Sequence, residues 1–235
     1  MRFLEFSIAT QDIRESLDFY GKLGFSEASV GDAWSHPYAV VSDGRIVLGL
    51  HQHPGFISSI TFVKPHLLKH LKTLEQIGLP FEFRRLGNDV FNEVGWRDPS
   101  GRLVRLVEAR TFSPVERSAQ LRPSCGYFTE IALPAAARDA EKEHWERLGF
   151  VALEEDSGRL PHVSCTSDTL EIGLYDPAHV REPTLMFEVD DLAATLDKLA
   201  AQGVSAGTRV PAPVKNLPAA IVTAPEGTPL LMAGS

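Results

Sequence analysis

Apolar and polar positions alternate along this chain with two periods, and the order of those periods is run through four times. Residues 3–10 alternate loosely, as a half-buried strand does. Asp12 then stands where a helix N-cap belongs, and Ile13, Leu17, Tyr20 and Leu23 fall on one helical face. Strand-like runs follow at 26–30, 38–42 and 45–51, the last two joined by a tight turn at Ser42-Asp43-Gly44. That is the order β-α-β-β-β. A second unit has a strand at 57–63, a helix from about Pro65 with Leu67, Leu71 and Leu74 on one face, and strands near 81–86, 90–97 and 103–109. The third places a strand at 127–133, a helix holding Trp145 and Leu148, and strands near 151–154, 160–166 and 170–175. The fourth has a strand at 184–189, a helix with Leu192, Leu196 and Leu199, and strands near 205–209, 219–223 and 229–233. There Pro211, Pro213 and Pro218 interrupt the pattern.

The chain also repeats at a longer period. Asp18-Phe19-Tyr20-Gly21-Lys22-Leu23-Gly24-Phe25 returns as Glu143-His144-Trp145-Glu146-Arg147-Leu148-Gly149-Phe150. Each reads as the end of an amphipathic helix, a glycine able to take the left-handed exit, and an apolar residue locking it. Leu4-Glu5-Phe6 matches Thr129-Glu130-Ile131, and Val47-Leu48-Gly49-Leu50-His51 matches Glu171-Ile172-Gly173-Leu174-Tyr175. The turn Asp98-Pro99-Ser100-Gly101 matches Ala224-Pro225-Glu226-Gly227. A spacing near 125 residues throughout makes the chain a duplication. The expected domains are 1–111 and 125–235, with residues 112–124 as a connector.

Composition narrows the partners. The 43% hydrophobic and 23% charged content is that of an ordinary globular protein. A net charge of −8 argues against nucleic acid or an anionic membrane as partner. No apolar signal core or bilayer-length apolar run is visible, so the cytoplasm is the expected location. Cys125 and Cys165 form neither a disulfide framework nor a zinc-binding spacing and read as reduced core residues. The expected assembly is a monomer or homodimer.

Four such units, with the repeated Leu-Gly-Phe helix exits and Trp96-Arg97-Asp98-Pro99-Ser100-Gly101 before the last strand of the first half, resemble the vicinal oxygen chelate superfamily. This is the group of glyoxalase I, extradiol dioxygenases, bleomycin-binding proteins and fosfomycin-modifying enzymes. The resemblance implies an α+β fold in which βαβββ units pair into two curled eight-stranded sheets, or cups, with helices outside. Pairing the first unit with the second and the third with the fourth is simplest, and first with fourth is the alternative. Enzymes of the group hold a divalent metal in the cup, with donors from first strands and a partner unit's last strand. Those positions read Glu5, Ser58 and Arg105 in the first half and Glu130, Pro183 and Leu231 in the second. One carboxylate per half is too few donors, so no metal and no cofactor is expected.

Other side chains complete the candidate site. His51 and His53, two apart on a strand, would share a face, but Pro54 turns the chain away; His51, and Tyr175 at the matching place, are expected to line the cups. Trp34, His36 and Tyr38 could form an aromatic rim for a planar ligand. Glu5 and Glu130 stand in apolar strands and each needs a partner or water. Arg105 is expected in the metal's place, hydrogen-bonded to Glu5 with Ser58 close by. The expected function is metal-free binding of a small apolar or planar organic molecule, with no catalytic residue assigned. The alternatives are a metal-dependent lyase, isomerase or dioxygenase using Glu5 with a non-standard ligand such as His51, and a structural module with a vestigial cup.

Overall fold

The computed structural model describes residues 1–29, 34–88, 91–109, 123–155, 160–207 and 218–234. Most of the expected connector, together with Pro211 and Pro213, lies outside them. The first half forms β1 (Arg2–Ala9), α1 (Ile13–Lys22), β2 (Ser26–Ala28), β3 (Tyr38–Ser42), β4 (Val47–His51), β5 (Ser59–Val63), α2 (Leu67–Gln76), β6 (Phe81–Arg85), β7 (Glu93–Arg97) and β8 (Leu103–Val107). The second half forms β9 (Tyr127–Pro134), α3 (Arg138–Arg147), β10 (Val151–Glu155), β11 (His162–Thr166), β12 (Glu171–Tyr175), β13 (Thr184–Val189), α4 (Leu192–Ala201), β14 (Ala219–Thr223) and β15 (Pro229–Gly234). No helix among the described residues is long and apolar enough to cross a membrane.

Each half makes its own mixed sheet. The first runs β2-β3-β4-β1-β5-β8-β7-β6 and the second β10-β11-β12-β9-β13-β15-β14. The first unit therefore pairs with the second and the third with the fourth. The second sheet has seven strands among the described residues rather than eight. The strand expected at 205–209 is represented there by a single bridge, Gly207 to Ile221.

Local sequence explains the helices. Asp12 caps α1, its Oδ1 accepting from the backbone N–H of Arg14 at 2.9 Å and Glu15 at 3.2 Å. At the exits Gly24 has φ +93° and Gly149 φ +95°, which lets Phe25 N–H reach Tyr20 O and Phe150 N–H reach Trp145 O, at 3.0 and 3.1 Å. The turn buries both phenylalanines. Phe25 then meets Phe187 of the second sheet, and Phe150 meets Phe62 of the first. The repeated Leu-Gly-Phe is thus a join between the halves as well as a helix terminator.

Around that join a single hydrophobic core runs through both halves. Phe62, Val104 and Leu106 enter it from the first sheet, and Leu185, Phe187, Leu230 and Met232 from the second. Residues alternating with these face the other side of each sheet, into the cups. Helices α1 and α3 lie at the join with matched polar contacts. Ser16 and Tyr20 of α1 donate to the two carboxylate oxygens of Glu226 at 2.9 and 2.6 Å. At the corresponding place Glu141 of α3 takes Arg102 Nη2–H at 2.7 Å, while Arg102 Nε–H holds Asp98 at 2.6 Å.

His144 is buried at this join, where its Nε2 accepts Trp96 Nε1–H at 3.3 Å. Burial, with Arg147 and Arg102 nearby, lowers its pKa to about 4 from 6.5. Between those values the unfolded chain binds the proton and the folded chain does not, so the stability this group contributes above pH 6.5 is lost as pH falls toward 4. Over that window the native protein should lose up to about 3 kcal/mol more than His144→Gln, which keeps an acceptor for Trp96. Urea unfolding of both proteins at pH 4.5 and 7 measures the difference; equal pH dependence would contradict it.

Candidate ligand-binding site

Cup-facing residues of the first sheet form one row. Phe83 on β6 pairs with Gly95 on β7, Gly95 with Arg105 on β8, Arg105 with Thr61 on β5, and Thr61 with Glu5 on β1. Beyond Glu5, Gly49 on β4 faces the carboxyl, and a Cβ there would overlap it. The missing side chain lets a buried carboxyl lie flat against the sheet.

Glu5 is 1% exposed, and three donors converge on it. Ser7 Oγ donates to Oε1 at 2.7 Å, His51 Nε2 lies 3.0 Å from the same oxygen, and the Tyr38 hydroxyl donates to Oε2. Ser7 Oγ also bonds Thr61 Oγ1 at 2.7 Å, which bonds Ser59 Oγ at 3.1 Å. Burial and the adjacent Glu5 push the Tyr38 pKa well above its ordinary value, so the phenol remains a donor. The other ring nitrogen of His51, Nδ1, lies 2.9 Å from His36 Nε2, within hydrogen-bond distance. Burial, then the neighbouring His51, His53 and Arg105, lower the pKa of His36 and favour its neutral form. A hydrogen-bonded line therefore runs from the buried carboxyl to half-exposed His36.

Aromatic rings close over this floor. Trp34 meets His36, Tyr38, His51, Phe56 and Phe91 at centroid distances of 5.0–6.3 Å. Phe56 stacks flat on His51, 4.0 Å away and 9° from parallel. His53, by contrast, is exposed and touches only the edge of the group through His36, at 5.2 Å.

Two expectations are corrected. Arg105 faces the cup but does not bond Glu5: its Nη1–H goes to Glu93 Oε2 at 3.2 Å, and Arg85 holds the other Glu93 oxygen at 2.8 Å. The physical reason is that Glu5 already has three donors, whereas the partners of Glu93, 1% exposed on β7, among the described residues are the cations Arg85 and Arg105. Ser58 is exposed outside the sheet, its Oγ accepting from Ala9 N–H at 3.0 Å. Strand β5 begins one residue later, and Ser59 takes the inward place opposite Ser7.

A divalent metal does not fit these donors. The fold's ligand positions hold a carboxyl engaged by Ser7, His51 and Tyr38, a hydroxyl network, and a guanidinium that would repel a cation. Among the described residues no group of three or more His, Cys, Asp or Glu could hold a metal ion.

The second cup keeps the carboxyl and changes nearly everything else. Glu130 accepts from the Tyr175 hydroxyl, and His162 stacks on Tyr175 at 4.5 Å with its Nε2 3.7 Å from Glu130. His162 and Tyr175 are a cross-strand pair, as Tyr38 and His51 are, with phenol and imidazole exchanged. Ser7, Thr61, Glu93 and Arg105 are replaced by Ala132, Met186, Ala219 and Leu231. Ala132, Leu160, Tyr175 and Val180 form a hydrophobic cluster of their own, with Met186 and Ala219 packed on it. The sequence reading did not single out Ser7, Thr61, Glu93, Phe56 or His162. The offset that carries His51 onto Tyr175 also carries Tyr38 onto His162, so the repeat itself held that signal.

Arg105→Leu leaves Glu93 with only the exposed Arg85 as partner, and should cost toward the lower end of about 3–5 kcal/mol. Adding Glu93→Gln should restore part of the loss and adding Glu5→Gln none, as urea denaturation of the three variants can measure. Gly49→Ala should cost about 1–3 kcal/mol through overlap with Glu5. Gly21→Ala in α1, where a Cβ meets nothing within 4 Å, should gain about 0.5–1 kcal/mol. Equal effects of the two glycine changes would refute the close approach at Gly49.

No known family's sequence profile matches the chain, and no curated protein is similar to it in sequence. Solved structures are similar in fold. Homoprotocatechuate 2,3-dioxygenase from Arthrobacter globiformis matches with a TM-score of 0.64 at 17% identity, over 100% of this chain and 80% of its own. A Mn(II)-bound glyoxalase from Novosphingobium aromaticivorans matches with 0.63 at 14% identity, over 99% of this chain and 81% of its own. A catechol 2,3-dioxygenase matches with 0.59 at 16% identity, over 100% of this chain and 87% of its own. With two mixed sheets built from βαβββ units in tandem, the chain has the fold of the vicinal oxygen chelate superfamily, to which these extradiol dioxygenases and glyoxalase belong.

Proposed function

We propose that the first cup binds a small planar organic molecule without a metal ion, and that residues 1–111 and 125–235 act as two domains of which the first carries the ligand. The observation that supports this reading is Phe56 lying flat on His51 beneath Trp34. A planar ring is held there between an imidazole face and an indole edge, over a floor of polar groups. Such a surround suits a flat molecule and does not ask for a Lewis acid. Glu5 and His51 then serve as a rigid base, Trp34 and His36 as the rim, and Arg105 as the charged end. Glu130 and Tyr175 support the corresponding floor in the second cup.

The competing reading is a metal-dependent lyase, isomerase or dioxygenase. One observation favours it: Glu5 Oε1 and His51 Nε2 are two donors 3.0 Å apart in a fold shared with metal enzymes. The third corner is then Arg105, which counts against it.

Titration with 2-naphthol should quench the emission of Trp34, and Trp34→Phe should silence the signal. At a hundredfold excess over its Kd, the ligand should raise stability by about 2.7 kcal/mol. Manganese, zinc and ferrous iron should leave the unfolding temperature unchanged. A metal-dependent rise that Glu5→Gln removes would make the enzyme reading the better one.

A further inference from the structure

The acceptors on the floor of the first cup are already taken. Both Glu5 oxygens hold donors from Ser7, His51 and Tyr38, and both Glu93 oxygens hold cations. What remains unspent is a donor edge. Arg105 Nε is buried with no hydrogen-bond partner among the described residues, in a side chain only 11% exposed. A buried N–H without an acceptor is costly, and a guanidinium carries five of them in a planar fork. Among the described residues only Nη1 is engaged, with Glu93. The free Nε and Nη2 hydrogens lie along one edge of the guanidinium plane, in the geometry that takes two oxygens of one carboxylate side by side.

The rings beside this edge indicate what would bring those oxygens. Arg105 Cζ lies 5.0 Å from the centre of the Phe56 ring and 5.3 Å from that of Phe83. Phe56 therefore occupies a flat slot, stacked on His51 and with the Arg105 guanidinium over its ring. It stands on the β4–β5 loop beside Gly55, a glycine with φ +81° and open space around it, so the ring belongs to a loop rather than to the sheet. A ligand ring that took the place of Phe56 would lie beneath the guanidinium, close enough for a substituent to meet the unspent edge.

Resting on the reading of this cup as a site for a planar molecule, we propose that the ligand is an aromatic carboxylate, its ring stacked on His51 in place of Phe56 and its carboxylate held by the Nε–Nη2 edge of Arg105. A cationic ligand would meet the guanidinium, and the carboxylates of Glu5 and Glu93 are already engaged by hydrogen-bond partners and cations. A neutral one with a single carbonyl oxygen would answer one of the two hydrogens and carry no charge to match the guanidinium. The overall charge of −8 disfavours anions at the surface in general, so a preference for an anion would have to arise locally.

The test compares 2-naphthoate with 2-naphthamide, of the same shape without the charge, by calorimetric titration of the full chain. The native protein should bind the carboxylate at least tenfold more tightly than the amide. Phe56→Ala, which opens the slot, should bind both more tightly and keep the ratio. Arg105→Lys, which keeps the charge and loses the fork, should bring the ratio close to one while amide binding persists. Because Arg105 variants risk misfolding, Arg105→Met combined with Glu93→Gln removes the ion pair as a unit and should give the same result. If amide and carboxylate bind equally to the native protein, or if the ratio survives in both Arg105 variants, the carboxylate inference is overturned while the planar-ligand reading stands. If neither compound nor 2-naphthol binds the native protein or Phe56→Ala, both fall together.

Discussion

A carboxyl group buried in an apolar strand constrains everything around it. Removing Glu5 from water is tolerable only because Ser7, Tyr38 and His51 give it donors from β1, β3 and β4. Tyr38 and His51 stand directly opposite each other across β3 and β4. A slip of one residue in that pairing would turn Tyr38 to the other face and leave Glu5 Oε2 without its donor. Gly49, between them and Glu5, must lack a side chain for the same reason. The register of the strands on one side of β1 and the shape of the cup floor are consequences of a single buried group.

The second half meets the same constraint with the same residue types exchanged, tyrosine on β12 and histidine on β11. Around it the row has become apolar, with Ala132, Met186, Ala219 and Leu231 where the first cup has Ser7, Thr61, Glu93 and Arg105. The fold therefore does not need the ion pair, since its twin is built without one. Replacing a buried pair by packed apolar residues is commonly neutral or stabilising. That the first half retains Arg105 and Glu93 at a cost in desolvation is best explained by something other than stability.

The architecture was legible because its signals are local and repeated. The Asp12 cap, the Leu-Gly-Phe exits and the spacing near 125 residues each rest on a few adjacent positions. Glu5 and Arg105 could be assigned to the cup face through the family resemblance, and His51 from its place at the end of a strand. Their partners could not. Whether Arg105 reaches Glu5 or Glu93 depends on how β7 and β8 lie beside each other, which no segment encodes by itself. The resemblance points to Ser58 where Ser59 is the inward residue, and a period of two makes that error of one residue an error of face. Phe56, between Gly55 and the start of β5, reads as loop, and its stacking on His51 is set entirely by tertiary structure.

The join between the halves shows why a duplicated chain folds on itself rather than like with like. Where Ser16 and Tyr20 of α1 give hydrogens to Glu226, the equivalent contact has Glu141 of α3 receiving them from Arg102. The carboxylate sits on the turn in one contact and on the helix in the other. A join between two copies of the second half would set Glu141 against Glu226, two carboxylates with no cation between them. Two copies of the first half would set Ser16 and Tyr20 against Arg102, and the guanidinium would lose its acceptor on the helix. Only first against second satisfies both contacts, and like-charge juxtaposition of this kind is an effective way to exclude a wrong partner. With the helix-bearing faces committed to that one arrangement, the two cups are left facing away from the shared core, each free to diverge in what lines it.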